Sequence, residues 1–277
     1  MDSRVTYRIT LGRRPGALLR CLLPVGVIFP LLPLFVWPFS SGWAFPRLLP
    51  EVINLRAWVY LFSPASRLGS ALFNSSLIAV IVTGLCAALG VPAARTLARR
   101  TFPGKGALEL FLLMPLLVPP LVVSMGIHVT FLRLRLADTL PGVILVHLLP
   151  TLPYMIVVLK GVFASLDEDL EQQAASLGAP PAQVFFRITL PSILPGLAAG
   201  SLFVFLVSWS QYAITLLIGG GRVLTVPMLL FAFAGAGDHG VTAALSIVFV
   251  MPAIGILLLT AGHLSRRASI LGAFGRL

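Results

Sequence analysis

Acidic residues are few: nine Asp and Glu stand against twenty Lys and Arg in 277 residues, and charged side chains make up only 10% of the chain. Soluble domains carry about 25% charged residues, so a chain this poor in charge is not built to be solvated on all sides. The long apolar runs hold no Asp or Glu except Glu109, at the very start of one of them. That argues against an ion-coupled carrier, which needs an acid within the membrane for its proton or sodium. Cysteine is scarce too. Cys21 and Cys86 both fall inside apolar segments, which excludes a disulfide framework and any thiolate metal spacing. No Gly-x4-Gly-Lys-Ser/Thr loop occurs, because Gly104-Lys105-Gly106 lacks both the spacing and the hydroxyl residue. ATP hydrolysis is therefore not expected of this chain, and it reads as no enzyme. His128, His147, His239 and His263 are scattered, with no ligand or triad partner in sequence reach, and read as structural or interfacial.

What is abundant is apolar surface. Hydrophobic residues make up 58% of the chain and its mean hydropathy is +0.99. Such a composition predicts an all-α, polytopic membrane helix bundle. The net charge of +11 could suggest nucleic acid, but the basic residues cluster at the ends of the apolar runs. Anchoring at the membrane surface explains that placement, with lipid and not nucleic acid as the partner. Six membrane-spanning helices are expected in one domain over residues 1–277, at about 18–37, 72–97, 108–132, 143–163, 193–218 and 243–264.

The first apolar run follows Arg4, Arg8, Arg13, Arg14 and Arg20. No small-residue cleavage site succeeds it, and Trp37, Pro38, Phe39 and Trp43 resemble an interfacial belt, so a retained helix is expected. A short interfacial helix is expected near Leu55 to Phe62, and a start cap of the second span at Asn74. Pro115, Pro119 and Pro120 in the third span, and Pro150 and Pro153 in the fourth, free backbone carbonyls. Such breaks can line a path or serve as packing kinks. The run from Val223 to Phe233 is too short to cross, since a span needs roughly 20 residues. On this topology fourteen of the twenty basic residues lie inside and six outside, which puts both termini in the cytoplasm.

Between the fourth and fifth spans lies a polar island, residues 165–191. Ser165 and Glu168 have capping-box spacing, and Asp167 to Asp169 place negative charge at a helix start. Leu166, Leu170, Ala174 and Leu177 recur at helical spacing and predict an apolar face, with Glu171, Gln172 and Gln173 opposite. Gly178 is the expected left-handed cap. Pro180 and Pro181 suit the start of a second helix, expected to run until Pro191.

This loop resembles that of binding-protein-dependent ABC importer permeases. Their pattern is Glu-Ala-Ala, three residues, Gly, nine residues, then Ile-x-Leu-Pro. Gln172, Gln173 and Ala174 occupy the first triplet, and Gly178, Ile188, Leu190 and Pro191 match without a gap. Only Ala174 of the triplet agrees, and Glu171 stands one place before it. The stretch from Ser208 to Pro252 looks most like the spermidine/putrescine, thiamine, ferric-iron and aminoethylphosphonate branch. The resemblance implies a type I importer permease in the bacterial cytoplasmic (inner) membrane. It further implies a second permease subunit, two cytoplasmic ATPase subunits that hold ATP and Mg, and an extracytoplasmic substrate-binding protein. Glu171, Gln172, Gln173, Ala174, Gly178, Ile188, Leu190 and Pro191 would then form the coupling segment that meets the ATPase. A secondary transporter or channel with a partner-binding hairpin remains the alternative.

The densest polar and aromatic cluster within any span is Ser208-Trp209-Ser210-Gln211-Tyr212. Burying an amide and hydroxyls in hydrocarbon is costly unless they find partners or water. Two roles are open for Ser208, Trp209, Gln211 and Tyr212: lining a translocation path, or gluing helices together.

Overall fold

The computed structural model describes residues 26, 29–41, 43 and 50–274. The N-terminal arginines, Cys21, Arg47, Arg276 and half of the expected first span lie outside these residues. The chain enters through α1 (Leu32–Val36), flanked by 3-10 turns at Phe29–Leu31 and Trp37–Phe39. A small antiparallel pair follows, β1 (Ser40–Ser41) with β2 (Val52–Ile53), in which Ser40 faces Ile53. The short helix α2 (Arg56–Leu61) comes next.

The frame is three long helices. In α3 (Leu68–Arg99), Ile78, Val82, Cys86, Gly90, Ala94 and Leu97 recur every three or four residues and are all buried. They pack on α6 (Leu140–Ser165), whose Met155, Ile156, Leu159 and Phe163 complete the same core. Of the long apolar helices α6 is the most enclosed, with 56% of its apolar window buried. The third partner is α9 (Leu190–Trp209). Small residues allow the close crossings, as is usual where lipid offers no hydrophobic drive. A Cβ on Gly90 would stand 2.6 Å from Met155 Cγ, and one on Gly200 2.9 Å from Met155 Sδ. We expect Gly90→Val to force α3 and α6 apart and cost about 1–3 kcal/mol. A lowered melting temperature of the detergent-solubilised protein would register this, and an unchanged one would contradict the packing.

At 32 residues α3 is about 48 Å long, well beyond a hydrocarbon core of roughly 30 Å. Its Arg95–Arg99 end therefore extends past the apolar layer. The helix also begins upstream of Asn74, so Asn74 is not its start cap. The Asn74 Nδ2 instead donates to Leu224 O at 2.9 Å.

The apolar stretch expected as a third span is not one straight helix. It divides into α4 (Lys105–Leu117) and α5 (Pro120–Arg133), bent by 102°. Pro119 and Pro120 explain the break, since proline has no N–H to donate and disfavours helix in the residue before it. Lys160 of α6 pairs with Glu109 of α4 at 2.7 Å.

The fifth apolar stretch is also broken. After α9 the chain turns at Ser210 and resumes as α10 (Ala213–Gly219). Gly220 and Gly221 both take positive φ, and α11 (Val226–Gly235), at 10 residues, is too short to cross. The last helix, α12 (His239–Phe274), packs its first half on α2, α9 and α11. Among the described residues four helices are long and apolar enough to span a membrane, or five if α4 and α5 form one broken span.

Candidate coupling loop and broken-span site

The polar loop opens differently from its capping-box spacing. Ser165 Oγ donates to Val162 O at 2.9 Å, so it does not cap the next helix. Asp167 takes that place: its Oδ1 accepts the Asp169 N–H at 2.9 Å and turns the chain into α7 (Asp169–Ser176). At the far end Gly178 has φ +84°. Its N–H donates to Ala175 O at 3.0 Å, and the Ala179 N–H reaches Ala174 O at 3.1 Å. This pair of bonds is a Schellman closure, and it holds the turn that glycine makes possible.

Pro181 opens α8 (Pro181–Val184). Pro191 does not stop the second helix as expected. A π-turn over Phe185–Thr189 carries it into α9, with the Leu190 N–H reaching back to Phe185 O. The wider turn takes up the mismatch ahead of Pro191, which has no N–H of its own. The helix therefore runs without interruption from Pro181 to Trp209, over 29 residues. Ile188, Leu190 and Pro191 sit within this shaft, with Ile188 and Leu190 half-buried and Pro191 exposed.

The rotation of α7 also departs from its apolar pattern. Leu170 and Leu177 face outward, 53% and 89% exposed, and Glu171 is buried at 8%. Gln172, Gln173 and Gly178 are exposed, and Ala174 is half-buried. The cause lies on α3. Glu171 Oε2 accepts from Arg95 Nη2 and Arg99 Nη1, each at 2.6 Å, and its Oε1 accepts from Thr189 Oγ1 at 2.6 Å. Glu168 adds a carboxylate 3.1 Å from Arg99 Nε, and the Arg99 guanidinium lies 5.6 Å from the Phe163 ring centroid. Multiple charge-assisted bonds outweigh the burial of two leucines and fix which face of α7 turns inward. Burial pushes the Glu171 carboxyl up, but the hydrogen bonds from Thr189 and Arg99 and the charges of Arg95 and Arg99 outweigh it. The net pKa lies below the ordinary glutamate value. A depressed carboxylate stabilises the fold at neutral pH, and that contribution is lost only as pH falls below the ordinary glutamate range.

The second site is the break after α9. Trp209 is stacked between Phe205 and Phe249, each with centroids 5.9 Å away, and its Nε1 donates to Phe249 O at 3.0 Å. Ser208 Oγ lies 2.9 Å from His147 Nδ1, and His147 Nε2 lies 2.9 Å from Thr215 Oγ1. One imidazole on α6 thus bridges both sides of the break. Ser208 and Trp209 are turned into the subunit, 3% and 2% exposed. Ser210 is exposed, Gln211 is half-buried, and Tyr212 stacks on Phe231 with centroids 4.1 Å apart. The segment beyond the break hangs from α3. Besides the Asn74 bond to Leu224, Ser75 Oγ accepts the Val226 N–H at 2.9 Å.

Residue-by-residue reading had His147 as structural, which its two hydrogen bonds bear out, but missed its partners. It also missed Thr189 and the role of Arg95 and Arg99. The one available signal was the spacing of Arg95 and Arg99, one turn apart on the same helix face. Of the other histidines, His239 stacks on Trp37 with centroids 5.2 Å apart, and the buried Nδ1 of His128 has no hydrogen-bond partner.

A polar loop and a broken span on a frame of long apolar helices match a known class. Residues 87–269 match the family described as binding-protein-dependent transport system inner membrane component. The chain belongs to this family. It is an inner-membrane, multi-pass permease subunit of an ABC importer, a transport protein and not an enzyme. The permease is 31% identical to the molybdenum transport system permease protein ModB of Mycobacterium bovis, over 84% of this chain and 89% of that one. It is 29% identical to the putrescine transport system permease protein PotI of Escherichia coli, over 92% of each chain. That relative belongs to the branch suggested by the Ser208–Pro252 stretch. A trehalose transport system permease protein, SugB of Mycobacterium tuberculosis, is 30% identical over 86% of this permease and 87% of its own length. In fold, the permease resembles a chain of a bacterial ABC transporter that imports the acidic polysaccharide alginate. The TM-score is 0.68 at 18% identity, covering 89% of this chain and 94% of that one.

Proposed function

We propose that this permease pairs with a second permease subunit, the same chain or a related one, to enclose a path for a small polar solute. An extracytoplasmic substrate-binding protein delivers the solute, and two cytoplasmic ATPase subunits, which hold ATP and Mg, drive the cycle. Six crossings are proposed, with the bent α4–α5 pair as the third and both termini in the cytoplasm. The coupling segment is the 165–191 loop. The observation that carries this reading is the geometry of α7, which presents Gln172, Gln173 and the 89%-exposed Leu177 beside a helix continuous with a span. A shaft of that kind moves as one body when its end is pushed. Of the path candidates, Ser210, Gln211 and Tyr212 are free to meet a solute, while Ser208 and Trp209 hold the break in shape.

The function is tested by purifying the permease with its ATPase and binding protein and reconstituting them in vesicles. ATP-driven uptake is expected, while accumulation driven by an ion gradient alone would favour the secondary-transporter alternative. Topology has its own test. With Cys21 and Cys86 replaced by alanine, a cysteine at Ser41 should react with an impermeant thiol reagent added outside intact cells. One at Ser176 should be protected until the membrane is opened. Reversed labelling would overturn the orientation and, with it, the ATPase partnership.

A further inference from the structure

Of the acids at the start of the loop, Asp167, Glu168 and Asp169 are exposed and only Glu171 is buried. Three elements meet on its carboxylate: Arg95 and Arg99 from α3, Thr189 from the π-turn, and α7 itself. We propose that Glu171 is a positioning residue, a latch that passes motion of α7 directly to the protruding end of α3, so that two spans and not one follow the loop. The inference rests on the coupling-loop reading and deepens it, because it assigns Glu171 to transmission inside the subunit and not to contact with the ATPase.

The geometry supports this in three ways. Both carboxylate oxygens are engaged within the subunit, and at 8% exposure the residue offers little surface to a partner. Arg99 has a side chain only 10% exposed, so its charge is enclosed and depends on the pairing; breaking such a pair from one side leaves an uncompensated charge. Exposed ion pairs, by contrast, contribute little, and the Glu168 carboxylate at 48% exposure cannot replace Glu171. Apart from this cluster, α7 packs on α8 and the π-turn and is tied to the frame by its flanking chain, 166–168 on one side and 177–180 on the other. A rigid push on α7 reaches α9 along the continuous helix, and it reaches α3 through Glu171.

The test uses the complete complex of permease, ATPase and binding protein in vesicles, and reads solute imported per ATP hydrolysed. Glu171→Gln and Arg99→Gln are each expected to lower that ratio at least fivefold, with the double variant no worse than either alone, and with the ATPase still co-purifying in unchanged proportion. If Glu171→Gln does not assemble, Arg95→Gln on the more exposed side of the cluster gives the same reading with a smaller drop. Additive losses in the double variant would overturn the latch. So would a Glu171→Gln complex that sheds its ATPase while Arg99→Gln keeps it, since Glu171 would then be a partner contact. An unchanged ratio in all of them would overturn it as well. Failure of the underlying coupling-loop reading is separable, because Gly178→Val, which does not touch the cluster, would then also leave uptake at its normal level.

Discussion

Replacing Gly178 with valine is expected to lower ATP-driven uptake at least tenfold while the permease still inserts and folds. Gly178 sits at φ +84° with open space around its Cα, so the effect is one of backbone conformation and not of collision. A Cβ in the left-handed region costs about 1–2 kcal/mol, and a β-branched residue is the least tolerant of it. That cost falls on the Schellman closure which sets the angle between α7 and α8. Asparagine enters the left-handed region more easily than other residues with a Cβ. The expected order of uptake is therefore glycine, then asparagine, then valine, measured in reconstituted vesicles at equal protein. Equal rates for all three would mean that the angle of this turn does not matter to transport.

A comparably large effect is expected at His147, in stability first and transport second. Its two ring nitrogens are bonded at 2.9 Å to hydroxyls on either side of the α9–α10 break. A neutral imidazole donates through one nitrogen and accepts through the other. The Thr215 hydroxyl already donates to Gln211 O at 3.0 Å, so it accepts from Nε2 while Ser208 donates to Nδ1. His147→Leu would leave the buried Ser208 hydroxyl without its partner, at about 1–3 kcal/mol, while Thr215 keeps its bond to Gln211 O. The melting temperature of the solubilised protein should fall, and His147→Gln should recover part of the loss by restoring one bond. Gln211→Ala should behave differently. Its side chain is half-buried beside the exposed Ser210, so the variant should assemble normally and change uptake or ligand preference. If Gln211→Ala instead lowered the melting temperature as His147→Leu does, the residue would be packing glue and not part of the path.

The two sites differ in how much of them was legible beforehand. In the loop, the spacing from Gly178 to Pro191 identified a glycine-closed turn and a second helix, and both are present. The rotation of α7 was not legible, because Leu166, Leu170, Ala174 and Leu177 advertise an apolar face that the helix does not bury. Helical periodicity finds the face that would pack against hydrocarbon, but it cannot weigh a buried ion cluster supplied from elsewhere. The helix break was foreseen in the third stretch only as prolines of uncertain role, and in the fifth only as a polar cluster. In the third the chain bends where backbone donors are missing, and in the fifth where Ser210 Oγ donates to Val207 O at 3.2 Å and so competes for a backbone carbonyl.

What the sequence determined by itself was local or compositional: a membrane protein from its apolar content, and a family from a loop spacing. Each depends on residues close together in the chain or on averages over all of it. Tertiary structure alone decided which side chains meet. Glu171 finds Arg95 and Arg99 across separations of 76 and 72 residues, and His147 finds Ser208 and Thr215 across 61 and 68. Those meetings set the rotation of α7 and the shape of the broken span. No periodicity within a single helix encodes them, because they exist only where α7 and the π-turn meet α3 and where α6 meets the α9–α10 break.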